Sequence, residues 1–123
     1  MTKDEFYTKW LEAFASDISQ SDIKKYVKAT GNYLWHVFSW ELLNNNQYLS
    51  GNEAKKTYDG IYKTGAFYIE WFKDRHTKDL TWNFETANVL DEFAEVYVVG
   101  KDFKWTYMKT HESMCGSYFL KLK

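Results

Sequence analysis

The residues with the most chemistry in them stand near the end of the chain, where Thr110, His111 and Glu112 follow one another and Cys115 comes shortly after. Imidazole and thiolate are soft-metal ligands, so a turn that folded His111, Glu112 and Cys115 together could hold a transition ion, with His36 or His76 as a fourth ligand. The same residues could form a nucleophile pair, Cys115 activated by His111 or His36, a step that depends on stabilising the thiolate. The spacing is not that of a paired-cysteine motif, and the plainer reading is a solvent-facing His-Glu pair at a strand end with a buried thiol behind it. No metal and no cofactor is expected. His36, between Trp35 and Val37, reads either as a general base facing a pocket or as a histidine held by one hydrogen bond in a sheet, and the second is simpler. The chain has no glycine-rich phosphate loop, no helical His-Glu-x-x-His and no nucleophile elbow, which weighs against an enzyme.

The elements that must position these residues are clearest from Phe93 to Leu122. Two β-branched and aromatic runs flank Gly100, Lys101 and Asp102, the composition of a hairpin with a glycine free to take positive φ, and a third run, Ser117 to Leu122, follows Gly116. The chain is therefore expected to end in a three-stranded antiparallel meander. Side chains alternate along a strand, which places Phe103, Trp105 and Tyr107 on one face and Lys104, Thr106 and Met108 on the other, a solvated lysine face over a buried aromatic one. In the first run Phe93, Glu95, Tyr97 and Val99 alternate with Ala94, Val96 and Val98. Lysines and rings that do not share a face argue against a single-stranded nucleic-acid groove.

Upstream, Thr2 and Glu5 form a capping box, and Phe6, Trp10 and Phe14 recur every fourth residue, predicting a helix from about Lys3 to Ala15. A short helix over Asp22 to Ala29 is terminated by Gly31. Tyr33 to Trp40, almost unbroken in apolar character, reads as a central strand covered on both faces, although periodicity alone leaves a helix open. Ser50 and Glu53 offer a second capping box for a helix over Gly51 to Lys63, followed by a strand over Ala66 to Lys73, a charged loop from Asp74 to Asp79, and a short helix within Thr86 to Leu90. This order predicts one α+β domain over residues 1–123, with a mixed or antiparallel sheet of about five strands and helices mainly on one face.

Composition narrows the function. A net charge of −1 argues against a dominant polyanionic partner, a lone cysteine cannot form an internal bridge, and no apolar run reaches membrane-spanning length, so a cytoplasmic setting without membrane or nucleic acid is expected. Aromatics make up 20% of the residues, ten Tyr, nine Phe and six Trp, more than one small core can hold. A surplus of stiff, amphipathic rings at the surface is what protein interfaces favour.

Several segments carry a resemblance. Leu34-Trp35-His36-Val37-Phe38-Ser39, Asp102-Phe103-Lys104-Trp105-Thr106-Tyr107, Thr110-His111-Glu112 and Gly116-Ser117-Tyr118-Phe119 are similar to domain of unknown function 4275, a family of small uncharacterised proteins from Bacillus-type bacteria, whose pattern favours proline where Ser117 stands. The resemblance implies a small bacterial cytoplasmic protein and no established activity.

The expected function is binding to another protein, as immunity proteins and other small inhibitors do, through exposed rings drawn from Trp35, Trp40, Trp71, Trp82, Trp105 and Tyr107, with His36, His111 and Glu112 beside them. The alternative is a small enzyme or ligand binder whose pocket gathers His36, His111, Glu112 and Cys115. Self-association through an edge strand of the meander is a third possibility, and monomer or homodimer is left open.

Overall fold

The computed structural model describes residues 1–123. Thr2 and Glu5 form the expected capping box: the Glu5 N–H donates to Thr2 Oγ1 at 3.1 Å and the Thr2 N–H to Glu5 Oε1 at 3.0 Å. This opens helix α1 (Lys3–Phe14), which buries Phe6, Trp10 and Phe14 along one face. Helix α2 (Gln20–Tyr26), capped by the Ser19 side chain, runs into a single 3₁₀ turn (Lys28–Thr30) that stops at Gly31, whose φ of 109° is the left-handed conformation anticipated there.

Tyr33 to Trp40 is not a strand. The chain turns at Leu34 and Trp35 and forms the short helix α3 (His36–Ser39), with the Ser39 N–H donating to Trp35 O and the Trp40 N–H to His36 O. A stretch of almost unbroken apolar sequence shows neither a period of two nor one of 3.6, so its backbone pairing is decided by the surroundings. Here Leu34, Val37 and Phe38 point into the space beneath α1.

The remaining elements are β1 (Leu49–Ser50), α4 (Gly51–Gly60), β2 (Phe67–Glu70), β3 (Lys78–Asp79), a 3₁₀ turn (Trp82–Phe84), α5 (Ala87–Leu90), β4 (Val96–Val99), β5 (Trp105–Lys109) and β6 (Tyr118–Lys121). The six strands form one wholly antiparallel sheet in the order β1-β6-β5-β4-β2-β3. The terminal meander β4-β5-β6 is present, but it occupies the middle of the sheet rather than an edge. β1 covers β6, and β2 with β3 covers β4, so the meander offers no long free edge for self-pairing. Ser50 precedes α4 without a side-chain cap bond and pairs with Tyr118 in the sheet instead.

Alternation then sorts the core into two layers. Ile69, Tyr97, Val99, Met108, Tyr118 and Leu120 face α1, α2 and α3, while Tyr68, Val96, Val98, Trp105, Tyr107 and Phe119 face α4 and α5. Thr106 and Met108 are fully buried under α1, so the face opposite Trp105 and Tyr107 is a second core and not a solvated lysine surface. Phe103 leaves the expected row. It, and not Gly100, takes positive φ in the hairpin, at 54°, and this turns its ring to the α1 side against Phe6, Phe14 and Phe67. Gly100 serves close approach: a Cβ there would collide with the Trp105 indole, coming within 2.7 Å of its Cδ1.

Burial of so many phenols has a measurable consequence. Desolvation pushes the hydroxyl pKa upward in Tyr7, Tyr48, Tyr58, Tyr68, Tyr97, Tyr107 and Tyr118, in the last case to about 12. An unfolded tyrosine ionises near pH ~10. These groups therefore stabilise the fold fully below that pH, and the contribution is lost as pH climbs from ~10 toward the folded values, because only the unfolded chain releases the protons. A spectrophotometric titration is expected to show ionisation of these seven tyrosines coincident with loss of the circular dichroism signal. Smooth ionisation of those seven near pH ~10 in a folded protein would contradict the packing.

Candidate docking site over a buried carboxylate

Glu95 enters the sheet immediately before β4, on the same face as Tyr97, and is 0% exposed. A carboxylate in that position must be satisfied by donors. It has four. Glu95 Oε1 accepts from the Trp35 indole N–H at 3.0 Å, the His111 backbone N–H at 3.2 Å and His111 Nδ1 at 2.6 Å, and the Tyr97 hydroxyl donates to Oε2. Burial and the adjacent Glu95 charge hold the Tyr97 phenol well above its ordinary pKa, so it remains a donor. These partners come from the turn before α3, from β4 and from the segment following β5, which the Glu95 side chain ties together.

The carboxylate accepts only, so His111 Nδ1 carries the proton of that bond, and Nε2 is turned toward the Glu112 side chain. Nε2 opens toward a cavity of about 290 Å³ lined by His111, Glu112, Cys115, Lys109, Lys55 and Asp91. Of its cations, Lys55 is paired with Asp91 at 2.9 Å and Lys109 donates to Phe93 O at 2.6 Å. The Glu112 carboxylate lies 3.5 Å from His111 Nε2 and receives no hydrogen bond. Thus three of the four residues expected to converge, His111, Glu112 and Cys115, do line one hollow. Cys115 is not hydrogen-bonded to His111, and its thiol packs toward the α1-side core. No group of three or more His, Cys, Asp or Glu side chains is arranged to hold a metal ion.

His36 does not enter that hollow. Sitting on α3 rather than in a strand, it is fixed by Nδ1 contacts to Tyr26 O at 2.9 Å and Thr30 Oγ1 at 2.8 Å. Because a carbonyl oxygen only accepts, Nδ1 is the protonated nitrogen here too. His76 pairs through its backbone with Thr2 and stays apart.

What joins His36 and His111 is a run of rings. Tyr33 lies 5.5 Å from His36 and 4.9 Å from His111, centroid to centroid, Phe72 lies 6.0 Å from Tyr33 and 5.4 Å from His111, and Trp40 lies 5.3 Å from Tyr26. Trp40 is 54% exposed and Phe72 50%. The strip thus consists of two ring groups, Trp40 with Tyr26 and His36-Tyr33-Phe72-His111, which meet where His36 Nδ1 reaches the Tyr26 carbonyl, with Trp35 and Glu95 beneath the second. Separately, Trp82 is 83% exposed on the α5 side of the molecule.

Of the rings expected as anchors, Trp35, Trp71, Trp105 and Tyr107 are buried and cannot touch a partner. Strand alternation gave Trp105 and Tyr107 a shared face, but that face is covered by α4, while α1 covers Trp71 and Trp35 lies in the turn before α3. Trp40, Trp82, His36, His111 and Glu112 remain accessible. Glu95, Tyr33 and Phe72 were missed. A charged residue on the buried register of an otherwise apolar strand was the available signal for Glu95, whereas nothing local marks Phe72.

The arrangement is that of a small α+β domain with both sheet faces covered and a rigid, half-exposed aromatic strip on one flank. The chain belongs to the family described as "Domain of unknown function (DUF4275)", whose model matches residues 3–119. No curated protein and no solved structure matches it. No helix is long and apolar enough to cross a membrane.

Proposed function

We propose that the protein is a docking module, of the kind represented by small immunity-type or regulatory inhibitors, that binds another protein through the strip running from Trp40 to His111. The observation that supports this reading is the gathering on one flank of two part-exposed ring groups, Trp40 with Tyr26 and His36 with Tyr33, Phe72 and His111, linked by the His36–Tyr26 carbonyl contact and underlain by Trp35, which Glu95 holds. Aromatic side chains already held in place lose little entropy when a partner covers them, and such residues dominate interface energies. A bacterial cytoplasmic setting suits the lone, unbridged Cys115 and the resemblance of the sequence.

The test is affinity capture from the source cell with the natural chain and with a Trp40→Ala/Phe72→Ala variant. Both substituted residues are half exposed, so the variant keeps its fold. The expected outcome is a protein retained by the first and lost by the second. Identical retention by both would overturn the reading. An enzymatic role for Cys115 would be excluded by an iodoacetamide rate equal to that of a free thiol.

A further inference from the structure

We infer that His111 is a proton-operated clamp on the docking strip. With both ring nitrogens protonated it joins the buried Glu95 to the surface Glu112 and tightens the strip; on losing the Nε2 proton it releases Glu112. This rests on the docking reading and adds how that surface is regulated.

His111 stands between two carboxylates of opposite burial. Nδ1 lies 2.6 Å from Glu95 Oε1, which is fully buried, and Nε2 lies 3.5 Å from Glu112 Oε1, whose side chain is 57% exposed. Glu95 accepts from Nδ1 in either state of the ring, because a neutral imidazole still carries one N–H. Glu112 differs: it is attracted when Nε2 carries a proton and faces a lone pair when it does not. One arm of the clamp is permanent and the other follows the proton. Imidazole is the side chain that exchanges its proton between pH ~5 and ~8, and the proton belongs to the closed form, so the clamp closes as pH falls.

The groups around the ring act in both directions. Glu95, Glu112 and Asp91 attract a second proton, whereas Lys55 and Lys109 in the same hollow, and Lys3 facing Glu95 from α1, oppose it. Lys55 is offset by Asp91 at 2.9 Å, and the Tyr97 hydroxyl donates to Glu95. Tyr33, Phe72 and Trp35 bear no charge against the ring, and His36 lies beyond Tyr33. The clamp reaches its surroundings by two routes. Thr110 Oγ1 bonds to Glu112 O and Cys115 O, and the Cys115 N–H donates to Glu112 O, so Glu112 is part of the turn that closes the hollow. The His111 ring itself lies 4.9 Å from Tyr33, 5.4 Å from Phe72 and 5.8 Å from Trp35, and an imidazole held at both ends fixes the wall on which those rings pack. Rings fixed beforehand lose less entropy on binding, so a partner binds more tightly to the closed form.

The test is an NMR titration of the full ¹⁵N-labelled chain across pH ~5 to ~8, in which ring-nitrogen shifts report the protons on each histidine. The expected result is that His111 keeps its Nδ1–H throughout, while the Trp35 indole and the amides of residues 112–116 move together with loss of the Nε2 proton. Glu112→Gln, at an exposed position, should carry that loss to lower pH by roughly 0.5, the scale of an exposed ion pair. His111→Asn, whose amide nitrogen replaces Nδ1 as donor but takes no second proton, should abolish the coupled movement. Capture of the partner by the natural chain should be about threefold greater at pH ~6 than at pH ~8, and independent of pH in His111→Asn. Amides 112–116 that stay still, a Glu112→Gln titration that coincides with that of the natural chain, or pH-dependent capture that persists in His111→Asn would overturn the proposal. If capture is equal at both pH values yet still lost in the Trp40→Ala/Phe72→Ala variant, the clamp falls and the docking reading stands. If that variant also retains the protein, both fall.

Discussion

Replacing Glu95 with alanine is expected to cost about 3–5 kcal/mol of stability, the scale for breaking a buried, hydrogen-bonded charge from one side. The substitution strands the Trp35 indole N–H and the Tyr97 hydroxyl in the interior, frees His111 and leaves a void where the side chain had been. Removing His111 instead should cost roughly 1–2 kcal/mol, because its ring is partly exposed and Glu95 then keeps the Trp35, Tyr97 and His111 backbone donors. The ordering of the two costs is the informative part. Urea unfolding of both variants measures it, and Glu95→Ala within ~1 kcal/mol of the natural chain would mean that the network contributes little to the fold. Because Trp35 and His111 share one acceptor, Trp35→Phe combined with His111→Ala should be non-additive, which a double-mutant cycle reads directly.

Trp10→Ala is expected to be as damaging, about 3–5 kcal/mol, for a different reason. Trp10 is fully buried at the middle of α1, its ring 5.2 Å from Phe14 and 6.1 Å from Phe38, and its indole N–H donates to Thr106 Oγ1 at 3.0 Å. Most of the expected loss is cavity and contact, not the hydrogen bond. Thr106 Oγ1 donates in turn to Val98 O at 2.9 Å, so losing the indole leaves no donor orphaned. Trp10→Phe should therefore recover most of the stability. Trp82→Ala supplies the control: an indole 83% exposed should change stability by no more than ~0.5 kcal/mol. Similar costs at positions 10 and 82 would contradict the placement of α1 on the sheet.

Much of this was legible in the residues. The capping box at Thr2 and Glu5 satisfies backbone donors three residues apart, a purely local event, and α1 appears where it was read. Alternation in the meander placed Tyr97 with Val99 and Trp105 with Tyr107 on the correct sides, because the pleat reverses direction at every residue whatever lies above it. The reading failed where apolar residues run on without a period. Tyr33 to Trp40 shows no period, and its helix follows from the room under α1. Phe103 failed for a related reason, since its positive φ is imposed by the hairpin and rewarded by packing on Phe6, Phe14 and Phe67.

By itself the sequence determined α1 with its capping box, the strands of the meander, the α+β class and the presence of more rings than one core needs, since each of these is written in neighbours a few residues apart. Only the tertiary structure decided which rings stay at the surface, and that Glu95 would hold Trp35 and His111 beneath them. Residues 26, 33, 36, 40, 72 and 111 meet because sheet pairing and one buried charge bring distant segments together. The free energy that joins them comes from satisfying donors and excluding water across the fold, and short-range spacing carries no record of it.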